Sequence, residues 1–125
     1  MKPEIKKVWV DTLKSGTVKQ AKDKLCKLEN DEYSFCCLGV LCEIYNADMR
    51  LKKKKQLEIN KVISSKGYCF SYNGCIAGLP EEVQKWSGIT TNLGQLPFPH
   101  VQDLAGMNDS GKTFKQIAKI IDETL

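Results

Sequence analysis

The chain has 125 residues, of which 42% are hydrophobic and 27% are charged, and its formal net charge is +4. A chain of this length and composition forms one globular domain, so we expect a single domain over residues 1–125. No apolar run approaches the roughly 18 residues of a membrane span, and the first residues lack the apolar region of a signal peptide. These features argue against a membrane protein and predict a location in the cytoplasm.

Two helices are predicted in the first part of the chain. Apolar residues recur at helical spacing over residues 3–15, where Pro3 suits the first turn and Gly16 the end. A wider apolar stripe over residues 33–45 predicts the most buried helix of the molecule. Gly39 lowers the intrinsic stability of that helix by about 1 kcal/mol, so we expect it to allow a neighbouring element to approach closely.

Less regular structure is predicted around the second helix. Residues 18–28 keep roughly helical spacing but are rich in lysine, so helix and irregular structure are both open there. Residues 46–66 contain four consecutive lysines and predict a loop followed by a short strand or a turn of helix. Asn73 and Gly74 form a dipeptide typical of type I′ turns. Their apolar flanks predict a short antiparallel β-hairpin near residues 68–77.

The last part of the chain predicts further short helices. Proline and acidic residues at positions 79–82 suit a first helical turn, and Gly88 suits its end. A loop rich in Gly and Pro follows, and helical spacing returns at residues 101–107. Thr113 and Gln116 form a capping box that opens an amphipathic last helix. The predicted fold class is therefore α+β: a small single domain, mainly helical with about four helices, and one short antiparallel β-hairpin.

Cysteine usage predicts reduced, structural thiols. Without a secretion signal, we expect free thiols. The chain contains no C-x-x-C pair and only one histidine, His100, so its sequence argues against a zinc site. We therefore expect no metal and no cofactor. A cysteine nucleophile with His100 as its base stays an alternative. The six cysteines are Cys26, Cys36, Cys37, Cys42, Cys69 and Cys75.

Residues 106–113 read G-M-N-D-S-G-K-T and match the P-loop pattern G-x-x-x-x-G-K-[ST] in full. A working P-loop follows a buried parallel strand, whereas residues 100–105 are too polar for one. Gly106 also falls at an expected helix end. We therefore interpret the match as a coincidence and expect no nucleotide hydrolysis and no enzyme activity.

The same region resembles the first two helices of a helix-turn-helix motif. A short helix, a turn containing Gly111 and the sequence Phe-x-x-Ile-Ala follow one another over residues 104–121. The outward face of the last helix mixes lysines with acidic residues, which makes a weak surface for DNA. Nucleic-acid binding through this hairpin is kept as the alternative function.

The turn at residues 108–113 also suggests a narrower hypothesis, the binding of an anion. Backbone N–H groups at the start of the last helix, with Lys112 beside them, are suited to hold an anion. In the same turn, side-chain bonds from Asn108 and Asp109 to the turn backbone are expected. The predicted ligand-binding residues are Asn108, Asp109, Ser110, Gly111, Lys112 and Thr113.

Four strings carry a family resemblance: residues 8–16, 33–42, 79–88 and 108–118. Together they resemble a family of small, functionally uncharacterised bacteriophage and prophage proteins. The most specific parts are Cys-Cys-Leu-Gly-Val-Leu-Cys and Asn-Asp-Ser-Gly-Lys-[Ser/Thr]-Phe. Members of that family lack a glycine at the position of Gly106, which agrees with a coincidental P-loop match.

The resemblance implies an accessory protein expressed in the cytoplasm of a host bacterium, and it implies no reaction. Small phage proteins of this kind often act by binding, so we expect a non-catalytic binder that counters host defence. Its expected partner is a host protein or a phosphate-bearing small molecule such as a nucleotide signal. The apolar character of the helix expected at residues 33–45 also allows a homodimer.

Overall fold

The computed structural model describes residues 1–125 and has the expected α+β class, with five helices and four strands. The strands form one sheet in which every neighbouring pair is antiparallel. In chain order the elements are α1 (Pro3–Lys14), β1 (Cys26–Glu29), β2 (Glu32–Phe35), α2 (Cys37–Leu51), β3 (Ile59–Ser64), β4 (Gly67–Tyr72), α3 (Glu81–Ser87), α4 (Leu104–Asp109) and α5 (Phe114–Thr124).

The sheet has the strand order β2-β1-β4-β3, so two hairpins lie side by side. Asn30 and Asp31 connect β1 to β2 with φ values of 53° and 59°, a left-handed conformation that Asn and Asp tolerate better than most residues. Ser65 and Lys66 connect β3 to β4. The hairpins meet where β1 pairs with β4, so the sheet depends on contacts between residues about 40 positions apart in the chain.

The β-hairpin predicted near residues 68–77 is only partly correct. The Asn73-Gly74 turn forms, because Tyr72 and Cys75 exchange backbone hydrogen bonds of 2.8 and 3.0 Å. Pairing stops at that bridge, and the main partner of β4 is β3 instead. Beyond Cys75 the chain turns toward another segment, where the carbonyl of Ile76 accepts a hydrogen bond from the Leu25 N–H at 2.7 Å.

The most buried helix begins later than predicted. Tyr33 belongs to β2, and α2 starts at Cys37 and continues to Leu51. Cys36 has an extended backbone, and its Sγ accepts a hydrogen bond from the Gly39 N–H at 3.4 Å, which caps the helix. The apolar residues before Cys36 therefore satisfy the alternation of a strand, although they also fit helical spacing.

Predicted helix ends agree well with the structure elsewhere. Helix α3 ends at Gly88, whose φ of 86° is the left-handed value expected of a C-terminal glycine. The capping box at the start of α5 forms between Thr113 and Gln116. Helix and irregular structure were both open for residues 18–28, and the end of that segment forms β1 (Cys26–Glu29) instead of a helix. None of the five helices has the length and apolar character needed to cross a bilayer.

Helices α1, α2 and α5 enclose the main core. Trp9 of α1 is fully buried, and its indole N–H donates to the carbonyl of Cys37 at 2.9 Å. Leu41 of α2 and Ile117 of α5 are also fully buried and belong to the same cluster. The indole therefore links α1 to the first turn of α2 by a hydrogen bond as well as by packing.

Gly39 allows the closest approach between α2 and a neighbouring segment. A Cβ atom built at this position would lie 1.8 Å from the carbonyl oxygen of Leu25. The contacted atom belongs to the backbone, so it cannot move aside by a rotamer change. The sequence-based expectation for Gly39 is therefore confirmed.

We expect Gly39→Ala to reduce the free energy of unfolding by about 3 kcal/mol or more, since overpacking against fixed backbone forces the two segments apart. The matched control is Gly106→Ala in α4, where the nearest atom is a side-chain oxygen of Asp103 at 3.1 Å. The control should change stability by about 1 kcal/mol or less. Urea unfolding followed by circular dichroism measures both, and equal losses would contradict the close-approach explanation.

Candidate functional site

The G-M-N-D-S-G-K-T string folds as a helix end, a turn and a helix start. Gly106 lies inside α4, which continues to Asp109, two residues beyond its predicted end. Gly111 has a φ of 113° and reverses the chain. The element directly before this turn is helix α4 and not a strand, and the sheet is antiparallel throughout. The backbone around the string thus differs from a strand–loop–helix phosphate site.

Asn108 contacts other parts of the chain rather than the turn, which corrects the expectation of local side-chain bonds. Its side chain is 0% exposed. Its Oδ1 accepts from the Cys37 N–H at 3.2 Å and from the Gln20 amide at 2.9 Å. Its Nδ2 donates to the carbonyl of Ala21 at 2.7 Å. One amide therefore joins the segment before β1, the start of α2 and the end of α4.

Asp109 is bonded in a similar way. Its Oδ1 accepts from the Asp23 N–H at 2.9 Å and from the Asn108 side chain at 3.1 Å. Asp23 has a φ of 68°, a left-handed conformation that few residues other than glycine adopt. The Asp109 carboxylate therefore helps to hold the backbone of Asp23 in this conformation. The predicted role of Asp109 in the turn is thus replaced by a contact with residue 23.

The start of α5 already has hydrogen-bond partners for most of its N–H groups. The Thr113 N–H donates to Gln116 Oε1 at 2.9 Å, and the Gln116 N–H donates to Thr113 Oγ1 at 3.2 Å. The Phe114 N–H donates to Gln20 Oε1 at 3.0 Å. Gln20 was not singled out from the sequence, because no local pattern connects residues 94 positions apart.

Part of the predicted anion site remains open to solvent. The N–H groups of Gly111 and Lys115 have no partner in the protein, and Lys112 lies between these residues in the chain. Ser110 is exposed at the same turn, whereas Asn108 is enclosed. Anion binding by residues 108–113 therefore stays a prediction, and its accessible groups are those of Ser110, Gly111 and Lys112, with Lys115 beside them.

We expect Asn108→Ala to reduce the free energy of unfolding by about 3 kcal/mol or more. The change leaves the buried Cys37 N–H and the Ala21 carbonyl without their partner, and each such loss costs about 1–3 kcal/mol. Ser110→Ala, two residues away and exposed, is the control and should cost about 0.5 kcal/mol or less. Chemical denaturation of both variants tests this, and a stable Asn108→Ala protein would show that the network is dispensable.

The six cysteines are free thiols, and five of them are buried. Burial raises the pKa of Cys26 to about 12 and that of Cys36 to about 11. The pKa values of Cys37 and Cys42 are also raised well above the ordinary value, again by burial. These four thiols are therefore protonated at neutral pH, and a protonated thiol is a poor nucleophile.

The raised thiol pKa values predict a loss of stability at alkaline pH. An unfolded thiol titrates near 9.0, whereas Cys36 in the folded protein titrates near 11. Between these values the unfolded chain has released protons that the folded chain still holds, so the free energy of unfolding falls as pH rises from about 9 to about 11. Each such thiol contributes up to about 1.4 kcal/mol per pH unit.

Urea unfolding at pH values on both sides of 9 measures this slope. Cys36→Ala removes one of the titrating thiols, so its slope above pH 9 should be shallower than that of the wild type. The comparison concerns the slopes alone, because the variant also loses the cap of α2 and is less stable at every pH. Identical slopes would contradict the assignment to buried thiols.

A groove that the sequence did not reveal runs along the outer face of α2. It consists of three adjoining hollows of about 380, 180 and 480 Å³. Ile44 and Ala47 line both the first and the second hollow, and Phe35 and Glu43 line both the second and the third. We call this surface the α2 groove, and its main residues are Val8, Phe35, Glu43, Ile44, Ala47 and Leu51.

The α2 groove combines an apolar lining with a few fixed polar groups. Glu43 accepts a hydrogen bond from the hydroxyl of Tyr72 at 2.9 Å, at the point where the second and third hollows meet. At the other end, Asp48 accepts from Lys52 at 2.8 Å and from the indole of Trp86 at 2.9 Å. The hydrogen bond from Lys52 lowers the pKa of Asp48 most, and the hydrogen bond from Trp86 lowers it further. The Asp48 carboxylate therefore stays charged in mildly acidic solution.

Ile44 and Tyr45 belong to the apolar stripe predicted over residues 33–45, but both are only half-buried. Tyr45 packs edge-on against Trp86, with ring centroids 5.3 Å apart. The periodicity of α2 indicates which residues are apolar. It does not indicate which of them the neighbouring elements leave uncovered, and residues of α1, the sheet and α3 line the groove together with α2.

The family model described as Domain of unknown function (DUF8296) matches residues 1–125, the whole chain. No curated protein and no solved structure matches it. The match therefore extends over the α2 groove and the C-terminal turn alike, and it attaches no reaction or ligand to either.

Proposed function

The chain belongs to the family described as Domain of unknown function (DUF8296) over its whole length, and we propose that it is a non-catalytic protein whose α2 groove binds a segment of a partner protein. The observation that carries this proposal is the continuity of the groove. The three hollows share lining residues and therefore form one mainly apolar surface; the shared residues are Phe35, Glu43, Ile44 and Ala47. Contiguous exposed apolar surface of this kind is typical of protein interaction sites.

The lining of the groove favours a peptide or helix over a small polar ligand. Leu51 is 85% exposed and Val8 is 49% exposed, so large apolar side chains lie at its rim without a partner. A partner segment with an apolar face would cover them, as in helix-in-groove recognition. A basic side chain on that segment would meet the carboxylate of Glu43, which has a hydroxyl donor but no cation beside it.

The biological setting of the proposal comes from the family resemblance given by the sequence strings. A phage or prophage accessory protein acts in the cytoplasm of the host bacterium, where a small binder would block a host protein involved in defence. The buried thiols are consistent with a protein that acts by binding, since none of the four with a raised pKa is suited to nucleophilic attack.

Capture of a phosphate-bearing signal is a second candidate because the Gly111 and Lys115 N–H groups lie unpaired beside Lys112. It has less support than the groove, since Asn108 is enclosed and three N–H groups at the same helix start have protein partners. Nucleic-acid binding through α4 and α5 has less support again. The outward face of α5 places Asp122 and Glu123 next to Lys115 and Lys119.

We expect Leu51→Asp to abolish partner binding, because a carboxylate at the rim of the groove opposes burial of an apolar face. Val101→Asp is the matched control: Val101 is 94% exposed and lies outside the α2 groove. Affinity purification from a host bacterial lysate, followed by calorimetry with the retained protein, compares the two variants with the wild type. Equal retention by both variants would contradict the groove assignment.

A Lys112→Ala variant separates the two candidates in the same experiment. It should bind the retained host protein as the wild type does, because Lys112 lies outside the groove. Calorimetry with a panel of nucleotides and cyclic dinucleotides tests the second candidate. Binding that Lys112→Ala removes and Leu51→Asp preserves would favour capture of a phosphate-bearing signal over protein binding.

A further inference from the structure

Every aromatic residue of the sheet lies on the same face. Side chains alternate along a strand, and residues directly opposite each other project to the same side. The register places Leu28 opposite both Tyr33 and Tyr68, so the aromatic residues of β2 and of β4 share one face. We call this surface the aromatic face, and its five rings are those of Tyr33, Phe35, Tyr68, Phe70 and Tyr72.

The aromatic face is largely open to solvent, whereas the opposite face is partly enclosed. Tyr33 is 55% exposed and Tyr68 is 37% exposed, and of the five rings only that of Tyr72 is buried. The buried residues of the opposite face are small instead: Ser34, Cys69 and Ser71. Large rings are usually turned toward the core of a protein. A sheet that buries its serines and exposes its rings therefore presents an interaction surface.

The charges of the sheet are divided between the same two faces. Both acidic residues of the strands, Glu29 and Glu32, lie opposite each other on the face away from the rings. Lys61 is the only charged strand residue of the aromatic face. It lies opposite Phe70, and its ammonium group lies over the ring of Tyr68, 4.5 Å from the centroid. The strands therefore place rings and a cation on one side, with no carboxylate among them.

A second free cation lies in the turn between β3 and β4. Lys66 is exposed there, and neither it nor Lys61 forms an ion pair. The neighbouring carboxylates lie away from these lysines along the chain of strands. Asp31 belongs to the turn between β1 and β2, and Glu43 of α2 accepts a hydrogen bond from Tyr72. An anionic backbone is therefore expected to follow β3, the edge strand of the sheet, and its turn.

The order of residues at the start of β4 has a known chemical use. Residues 66–70 read Lys-Gly-Tyr-Cys-Phe, and the RNP1 pattern of RNA-binding sheets begins Lys/Arg-Gly-Phe/Tyr-Gly/Ala-Phe. Cys69 replaces Gly or Ala by another small residue, and the similarity ends there, since Ser71 and Asn73 depart from the later positions. In RNP1 the aromatic residues stack on bases. Here the equivalent rings belong to Tyr68 and Phe70.

We propose that the aromatic face binds single-stranded nucleic acid, with bases stacked on Tyr68, Phe70 and Tyr33 and phosphates held by Lys61 and Lys66. The rings of Tyr33 and Phe70 adjoin each other, with centroids 5.8 Å apart. Rings arranged in this way on a sheet accommodate about two or three bases. Duplex DNA does not fit, because its bases are already paired and stacked.

Lys61 decides between nucleic acid and a protein partner. Its ammonium group lies among the rings, so an apolar protein surface that covered them would bury this charge without an acceptor, which is costly. A nucleotide supplies a base for each ring and a phosphate for the cation. RNA and DNA share this chemistry.

The site goes beyond the function proposed for the α2 groove. Tyr33 and Phe70 also line the third hollow of the groove, whereas Tyr68, Lys61 and Lys66 line none of the three. The two sites therefore adjoin, and variants at the outer residues affect the aromatic face alone.

Fluorescence anisotropy of the full chain with labelled oligouridine and oligothymidine of about 12 nucleotides, a usual length for single-strand sites, tests the proposal. We expect both to bind at low salt, and a duplex of the same length to compete poorly. Tyr68→Leu and Phe70→Leu keep an apolar side chain but remove a ring, so each should weaken binding about tenfold. Tyr68→Phe keeps the ring and should bind as the wild type does.

Phe98→Leu is the matched control for the loss of a ring. Phe98 is 96% exposed and lies in a loop outside the sheet, so this change should leave the affinity unaltered. Circular dichroism of each variant checks that it is folded. Tighter binding of oligouridine would identify RNA as the natural strand, and tighter binding of oligothymidine would identify DNA; either result supports the site.

The salt dependence of binding tests the two lysines. For single strands, the slope of log association constant against log salt concentration changes by about 0.7 for each phosphate contact. Lys61→Gln and Lys66→Gln should each make the slope shallower by about that amount. Lys119→Gln, exposed on α5, is the control for charge and should keep the wild-type slope.

The outcomes decide the proposal in both directions. Weaker binding by both leucine variants of β4, together with shallower slopes for the two lysine variants, supports it. A wild-type protein that binds neither oligonucleotide overturns it, as does binding that the leucine variants preserve or that depends on Lys119 instead. Leu51→Asp should bind the oligonucleotides as the wild type does, so a failure of the α2 groove and a failure of the aromatic face are recognised separately.

Discussion

The side-chain amide of Asn108 is the contact on which the arrangement of the chain depends most. It bonds the segment before β1, the first turn of α2 and, through Gln20, the start of α5. These segments also contribute to the hydrophobic core, but apolar burial is non-directional and does not fix one register among them. A buried amide with all its partners satisfied supplies that reason, because any other register leaves polar groups unpaired in the core. The turn that resembles a P-loop thus holds the fold together.

Close packing around α2 complements this polar contact. Gly39 brings the helix against the carbonyl of Leu25, and the neighbouring thiols of Cys37 and Cys42 are fully buried. Gly39 and Cys42 share one side of the helix, and their small size lets that side approach the rest of the core. Its opposite face then remains uncovered over Ile44 and Ala47, which creates the α2 groove. The buried cysteines of α2 are therefore small packing groups of the core.

Local chemistry accounts for the parts of the fold that the sequence predicted. The glycine end of α3 at Gly88 and the capping box of Thr113 depend on residues within one or two turns, so they are readable from the chain alone. The helix start predicted at Tyr33 is wrong, because the apolar spacing there fits both a helix and a strand and only pairing with β1 decides between them. For the candidate sites, the sequence identified the C-terminal turn but neither Gln20 nor the groove.

The sequence by itself determined the α+β class, the ends of several helices, the reduced state expected of the thiols and the failure of the P-loop match. Each of these follows from short-range sterics, capping and composition. The tertiary structure alone decided that four strands form one sheet, that Asn108 is an interior amide and that one sheet edge stays open. Those features join residues dozens of positions apart. Which distant groups meet is settled by the packing of the whole chain, because many local arrangements satisfy each segment equally well.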